Sequence, residues 1–457
     1  MSEHEFDVVV IGMGPGGEEV AGRLAEAGLA VAGVESRLVG GECPYFGCVP
    51  SKMMIRAADL LAEARRIPGM AGTASVSPDW SPVARRIRDE ATDDWDDTVA
   101  ADRFTGKGGH LFRGAGRIMA PGVVQVGAEL LRASQGIVIA TGTVPAVPPI
   151  PGLAGTPFWT NREAIKATEV PESLIVLGGG AIGVELAQVF ARFGAQVTVV
   201  EALDQLVPAE EPEAGQLLAD VFGGEGIGVR TGVAAREISH DGAGFGVRLA
   251  SGEELSAARL LVATGRRVDL AAIGGGAVGI DEHGRAVPVD DRLHAAPGVW
   301  AIGDVAGHGA FTHMAMYHAG IVVADILGKE HHRAEYHAVP RVTFTDPEVG
   351  SVGRSEAQAR EQGLDVRVGV TQIPSSARGW IHKAGNAGFI KLVEDAGRGV
   401  LVGATSAGPN GGEVLSMLTL AVHAEIRVQR LEEMIYAYPT FHRAVQDALR
   451  SLTGAAG

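Results

Sequence analysis

The sequence predicts an α/β fold in which one glycine-rich strand–helix–strand unit occurs twice and a mixed α+β domain closes the chain. Three observations lead there. A continuous apolar run followed by closely spaced glycines opens the sequence at residues 6–17. The same arrangement returns at residues 173–183. From about residue 336 the texture changes to short strands interleaved with helices. At 457 residues the chain is also too long for one core, so two to four domains are expected.

In the first unit, residues 6–11 (FDVVVI) lack polar alternation, as a strand buried on both faces of a parallel sheet does. Gly12, Gly14 and Gly17 follow, then a helical stretch to Gly28, then an apolar run over 29–34 that ends in Glu35. In the second unit the strand is 173–177 (SLIVL). The glycines are Gly178, Gly180 and Gly183, the helix runs to about Phe193, and the strand over 196–200 ends in Glu201. The acid comes 18 residues after the last glycine in both copies. Glycine lets backbone N–H groups approach a pyrophosphate, the helix start adds partial positive charge, and the acid accepts from ribose hydroxyls. One G-x-G-x-x-G is weak evidence, but two copies in full context mean two Rossmann-like dinucleotide-binding domains. A carboxylate at Glu201 repels a 2′-phosphate, and Ala202-Leu203-Asp204-Gln205 offers no arginine to hold one. NAD(H) is therefore expected ahead of NADP(H).

Between the units, 51–66 reads as an amphipathic helix, 83–103 as a charged, exposed helix, and 117–126 as a hairpin around Ala120-Pro121-Gly122. A strand over 137–140 leads into Thr141-Gly142, and the proline-rich stretch 145–151 suits a domain crossing. Further on, a strand over 260–263 leads into Thr264-Gly265 and one over 299–302 into Gly303-Asp304. The C-terminal part shows strands at 341–344, 388–393 and 401–405, and helices at 355–362, 412–424 and 441–452.

Composition excludes several function classes. With 39 basic against 55 acidic residues the net charge is −16, the wrong sign for a nucleic-acid surface. No uncharged apolar run of about 18 residues is present, so no membrane span is expected. The opening MSEHEFDVVVIG has no basic region ahead of its apolar run and does not read as a signal peptide; the cytoplasm is the expected compartment. Only two cysteines occur, Cys43 and Cys48, with four residues between them. That suits a redox pair better than a structural staple, and no metal site is expected.

Residues 40–52 read GGECPYFGCVPSK. With the two glycine units, this stretch resembles group I of the pyridine nucleotide-disulfide oxidoreductases, the family of dihydrolipoamide dehydrogenase, glutathione reductase and mercuric reductase. The shared pattern is G-G-x-C-x-x-x-x-C-x-P-x-K, and the resemblance covers essentially the whole chain. It implies an FAD-binding domain (1–145 and 270–335), an inserted NAD-binding domain (146–269) and a dimerisation domain (336–457). It further implies a homodimer that shares its active site between subunits, a small-molecule electron acceptor, and a Cys43–Cys48 redox disulfide. By the same resemblance Cys48 is the flavin-proximal thiol and Cys43 the interchange thiol that meets substrate. A helix start at this pair would favour the thiolate. Lys52 matches the lysine beside flavin N5, with Glu185 as its partner. Gly303-Asp304 matches a second flavin motif, its aspartate on the ribitol chain and the helix near 312–319 aimed at the pyrimidine end. Thr141-Gly142 and Thr264-Gly265 match the crossings between domains. His308 and His313, in the same region, read as structural.

One stretch departs from the family pattern. Disulfide reductases of this family carry His-Pro near the C-terminus, followed four residues later by Glu, and the partner subunit delivers that imidazole to the interchange thiol. Here residues 436–443 read YAYPTFHR. Tyr438 stands at the His position, Arg443 at the Glu position, and His442 is one position off. A phenol, with an ordinary pKa of about 10, is a poor general base at neutral pH. Three readings stay open: Tyr438 as proton donor after a pKa shift, His442 brought in by a shifted loop, or an acceptor that needs no such step. The expected function is an NADH-linked FAD oxidoreductase of the third kind, acting on an acceptor other than lipoamide. Quinone reduction and 2-ketopropyl-coenzyme M chemistry are family precedents; mercuric reduction is disfavoured because no extra cysteines are present. The alternative is a dihydrolipoamide dehydrogenase or other low-molecular-weight disulfide reductase using Tyr438 or His442. A redox-inactive flavoprotein acting as a sensor conflicts with the full set Cys43, Cys48, Lys52 and Glu185.

Overall fold

A computed structural model describes residues 2–452; residue 1 and residues 453–457, at the outer ends of the expected domains, lie outside it. The chain divides into two compact units. The first gathers Met1–Ser51, Arg85–Ala146 and Gly265–Glu335; the second gathers Lys52–Ala84, Val147–Thr264 and Tyr336–Gly457.

In the first unit the central strand is Ser2–Ile11. It pairs in parallel with Val31–Glu35 on one side (Val8 opposite Val31, Ile11 opposite Val34) and with Glu129–Ile139 on the other (Val9 opposite Ile137). His110–Arg113 and Val299–Ala301 extend the sheet in parallel at its two sides. The absence of polar alternation in FDVVVI now has its cause. Val8 and Val10 pack with Met13, Leu24, Val31 and Phe104 on one face, while Val9 and Ile11 pack with Val34, Ile137 and Ile139 on the other. Gly116–Ala120 and Val123–Val126 form the expected hairpin, attached antiparallel to Glu129–Ile139.

The second unit repeats the first design in a four-stranded parallel sheet, ordered Gly228–Arg230, Gln196–Val200, Ser173–Leu177, Arg259–Val262. It adds a three-stranded antiparallel sheet over 235–257. Its C-terminal part is a five-stranded antiparallel sheet. The order is Pro340–Thr343, Glu348–Gly353, Val400–Gly408, Phe389–Asp395, Val366–Gln372. Leu415, Leu418 and Val422 of the helix Gly411–His423 cover this sheet together with Val445 and Leu449 of Ala444–Leu452.

The expected single helix over 83–103 is not found. Ser81–Arg86 continues into a wider turn, Ile87–Ala91, and a separate helix begins at Thr98–Gly106. Asp93, Asp94 and Trp95 between them adopt positive φ. Tertiary contacts outweigh helix propensity here. The Trp95 indole donates to the Tyr45 carbonyl at 3.2 Å and stacks on Phe46, ring centroids 6.5 Å apart. Asp97, buried, accepts from the Val39 amide at 2.6 Å and from Arg113. The break thus braces the segment between the two cysteines.

Candidate active site

The two glycine turns are built alike. A Cβ on Gly12 would strike the carbonyl of Ala140, just ahead of Thr141-Gly142; a Cβ on Gly178 would strike that of Ala263, just ahead of Thr264-Gly265. Each first glycine therefore lies flat against the end of a neighbouring strand, at positive φ. The helices that follow, Pro15–Glu26 and Ala181–Arg192, begin behind Gly14 and Gly180, and neither start is capped by a side chain. Gly17 and Gly183 sit buried in the first turns, with a Cβ on either colliding with the carbonyl of the first glycine. Glu35 accepts from the amides of Met13 (2.8 Å) and Arg37 (2.7 Å), and Glu201 accepts from those of Gly179 (2.6 Å) and Leu203 (2.8 Å). Each acid is thereby fixed beside its glycine turn. Uncapped helix starts, tight glycine turns and clasped carboxylates fit a pyrophosphate and a ribose in each copy.

The cysteines lie beside the first of these turns. A Cβ on Gly41 (φ +68°) would meet the Gly14 Cα at 2.8 Å, so the backbone before Cys43 touches the glycine turn itself. Glu42–Tyr45 forms one short helical turn and Cys48 opens the long helix Cys48–Arg65. Both cysteines are thiols here, Cys43 half-buried and Cys48 exposed. The neighbouring Cys48 sulfur, through a hydrogen bond, and then burial push the Cys43 thiol far up from its ordinary range. The sulfur beside it therefore favours the protonated form of Cys43. Thr312 Oγ1 lies 3.6 Å from the Cys48 sulfur, at the start of the helix Thr312–Ile326, which also has no side-chain cap.

Lys52 Nζ donates to Glu185 Oε2 at 2.8 Å across 133 positions of sequence. Glu185 is buried; its Oε1 accepts from the Phe344 amide at 2.8 Å, and the Phe344 ring faces Lys52 Nζ at 4.6 Å.

Gly303 and Asp304 open a short 3-10 turn. Asp304 Oδ2 accepts from Thr143 Oγ1 at 2.8 Å, and Arg266 donates to both Thr143 Oγ1 (2.6 Å) and the Thr143 carbonyl (2.8 Å). Thr143, Arg266, Thr312, Phe344 and Trp95 were not singled out from sequence. Thr143 follows Thr141-Gly142 and Arg266 follows Gly265 directly, so adjacency to a motif was the available signal.

His318 is fully buried and its Nδ1 accepts from the Gly303 amide at 3.1 Å. Burial, with the nearby His308 ring, lowers its pKa from the ordinary 6.5 to about 4. As pH falls through that window the unfolded chain takes up a proton that the folded chain refuses, so folding stability drops. Above pH 6.5 this contribution is constant. The loss is expected to approach roughly 3 kcal/mol by pH 4, at about 1.4 kcal/mol per unit. Urea unfolding followed from pH 7 to 4 should show a smaller fall in His318→Gln than in the wild type.

At the C-terminal end Tyr438 is 72% exposed and Ile435 96% exposed. His442 Nε2 lies 3.5 Å from Thr440 Oγ1, its ring centroid 6.2 Å from that of Tyr436. Arg443 pairs with Asp447 one turn on, at 2.9 Å. No helix among the described residues is long and apolar enough to cross a membrane.

Residues 6–319 match the family model for the pyridine nucleotide-disulphide oxidoreductases, and residues 339–449 match that family's dimerisation domain. A dihydrolipoyl dehydrogenase of Thermus scotoductus is 35% identical, over 98% of this chain and 97% of its own. A mercuric reductase of Acidithiobacillus ferrooxidans is 32% identical, over 98% of this chain and 83% of its own. Among solved structures, the Cu(II) complex of the HOCl-induced flavoprotein disulfide reductase RclA from Escherichia coli is 26% identical. It superposes with a TM-score of 0.86, covering 98% of this chain and 99% of that one. With both its domains matched and relatives aligned from end to end, this chain belongs to the group I pyridine nucleotide-disulfide oxidoreductases, a flavin-dependent enzyme family.

Proposed function

We propose that the chain is an NADH-linked FAD oxidoreductase, working as a homodimer, whose acceptor is reduced without a histidine proton donor. The observation that carries this is the pair of residues at 438 and 443. Tyr438 presents a phenol, and Arg443, just ahead of the helix Ala444–Leu452, is paired with Asp447 of that helix, so no carboxylate stands at 443 to orient an imidazole. The domain organisation read from the sequence belongs to the same proposal: FAD on 1–145 and 270–335, NAD on 146–269, and the subunit interface on 336–457. The exposed Ile435 and Tyr438 suit a surface that a second copy covers.

Bound FAD would supply the two-electron relay between nicotinamide and the cysteine pair. Gly12, Gly14, Gly17 and Glu35 would hold its adenosine and pyrophosphate, with Asp304 on the ribitol chain. Gly178, Gly180, Gly183 and Glu201 would hold NADH. Cys48 would stand next to the flavin with its sulfur beside Thr312, and Cys43 would meet the acceptor. Lys52, held by Glu185, would place its ammonium at the flavin. Reducing a disulfide substrate consumes NADH and one proton and releases NAD+ and two thiols. The leaving thiolate needs a proton delivered on the spot, the part an imidazole plays. A quinone draws its protons from solvent after electron transfer. The Escherichia coli relative is described in a Cu(II) complex, and a thiophilic metal ion reduced at the thiol pair would likewise bypass the donor.

Initial rates with NADH and either lipoamide, glutathione disulfide or a soluble quinone test this reading. Disulfide turnover should trail quinone turnover by about 10²–10⁴-fold, the usual contribution of acid–base assistance. Efficient lipoamide turnover would overturn it in favour of a dihydrolipoamide dehydrogenase. Loss on Tyr438→Phe or on His442→Ala would then name the donor.

The nucleotide preference has its own test. The Arg230 guanidinium is paired with Glu253 at 2.9 Å, and Glu201 is clasped by two amides. NADH should exceed NADPH in kcat/KM, and Glu201→Ala should narrow the gap from both sides. Equal kcat/KM values in the wild type would contradict the assignment.

A further inference from the structure

Three segments meet along a polar seam that starts at the Lys52–Glu185 pair and runs away from it. Lys52, Asp59 and Arg66 recur every seven residues along and just past the helix Cys48–Arg65, so they share one side of it. Glu185, Gln188 and Arg192 recur at three- and four-residue spacing along Ala181–Arg192, and all three are buried. The third wall is the segment 344–346, which leaves the strand Pro340–Thr343.

The bonds across the seam are dense. Glu185 accepts from the Phe344 amide and from Lys52. One turn on, Gln188 Oε1 accepts from the Asp346 amide at 2.8 Å while its Nε2 donates to the Asp346 carbonyl at 2.9 Å. A further turn on, Arg192 donates to Asp346 Oδ2 (2.7 Å), to Glu225 (2.6 Å) and to Asp59 Oδ1 (2.7 Å). Arg66 reaches the same Asp346 oxygen at 2.6 Å. Glutamine, with one acceptor and one donor aimed at the two backbone groups of a single residue, sets that residue's position more tightly than packing alone.

We propose that Gln188 is a positioning residue for the Lys52–Glu185 pair, acting through the segment 344–346. By pinning Asp346 it places the Phe344 amide under Glu185 Oε1 and the Phe344 ring against Lys52. Without that grip the amide withdraws, a buried carboxylate oxygen loses its partner, and the Lys52 ammonium loses its fixed direction. The proposal rests on the reading that Lys52–Glu185 serves the flavin.

The test uses the FAD-loaded protein and stopped-flow reduction of its flavin by NADH. Gln188→Met removes both bonds to Asp346, and with them the longer one from Nε2 to Glu225 at 3.2 Å, at nearly constant volume; Gln188→Asn, too short to span the gap, serves if the methionine variant does not fold. Reduction should slow by about tenfold or more, the scale of an ångström-level misplacement, with flavin content and the KM for NADH unchanged. The flavin midpoint potential should shift in the same direction as in Glu185→Gln. Combined with Glu185→Gln, the glutamine change should add no further loss, because both act through one contact. A wild-type rate in the Gln188 variant beside a slow Glu185→Gln overturns the seam alone, as do losses that multiply in the double variant. A wild-type rate in Glu185→Gln overturns the flavin role of the pair itself, and the seam's role with it.

Discussion

Placing histidine at 438 together with glutamate at 443 is expected to raise disulfide turnover by about 10²–10⁴-fold, the range that a positioned acid–base group contributes. The physical reason is at the leaving group. A thiolate expelled from a mixed disulfide departs faster when a proton is delivered to it, and an imidazole readily gives up and regains a proton near neutral pH, whereas a phenol, with an ordinary pKa of about 10, is a far weaker acid there. The change at 443 is needed as well. Arg443 now pairs with Asp447, and an arginine beside an imidazole would disfavour its protonated form. Tyr438→His alone should therefore give a smaller gain than the double change. NADH-to-quinone transfer should be the same in all three proteins. The measurement is steady-state kcat/KM for lipoamide at pH 7 against the same protein's quinone rate. A double variant that lowers both rates would indicate lost folding rather than chemistry, which flavin content and thermal unfolding separate.

The second large effect is expected at the thiols. Cys43→Ser and Cys48→Ser should each abolish disulfide turnover, because two electrons can be stored between the sulfurs only when both are present. The two variants should differ in every other respect. In Cys48→Ser the remaining thiol loses the neighbour that raises its pKa most, so Cys43 should become more reactive toward iodoacetamide at neutral pH. In Cys43→Ser the exposed Cys48 sulfur keeps its Thr312 contact at 3.6 Å. Alkylation rates against pH for both single-cysteine proteins check this contrast.

Much of this arrangement was legible before any coordinates, and the reason is local. Each glycine turn needs its residues within a few positions of one another, so Gly12, Gly14 and Gly17, and again Gly178, Gly180 and Gly183, declare themselves in sequence. GGECPYFGCVPSK is equally compact. Glycines break up the apolar pattern of the strand Glu348–Gly353, while Val366, Val368 and Val370 of Val366–Gln372 do alternate, a signal in the sequence that the expected strands leave out. The run 83–103 misled for a different cause. Its charges suit an exposed helix, yet Trp95 stacks on Phe46 and Asp97 holds the Val39 amide and Arg113, long-range contacts that no local charge pattern announces. Contacts made by backbone groups left no trace at all. The Phe344 amide under Glu185 lies 159 positions away from it, and no side-chain pattern announces a backbone donor. Buried His318, accepting from the Gly303 amide, was passed over because a histidine on an apolar helix face has no signature of its role.

One absorption spectrum tests the order of flavin, Cys48 and Cys43 most directly. Wild-type protein loaded with FAD, reduced anaerobically with one equivalent of NADH, should develop a long-wavelength absorption band from a Cys48 thiolate lying against the flavin. Cys43→Ser should show that band with its flavin still oxidised, and Cys48→Ser should never show it. A Cys43→Ser protein with no long-wavelength band, or a Cys48→Ser protein that keeps one, would contradict the order of electron flow from flavin to Cys48 to Cys43.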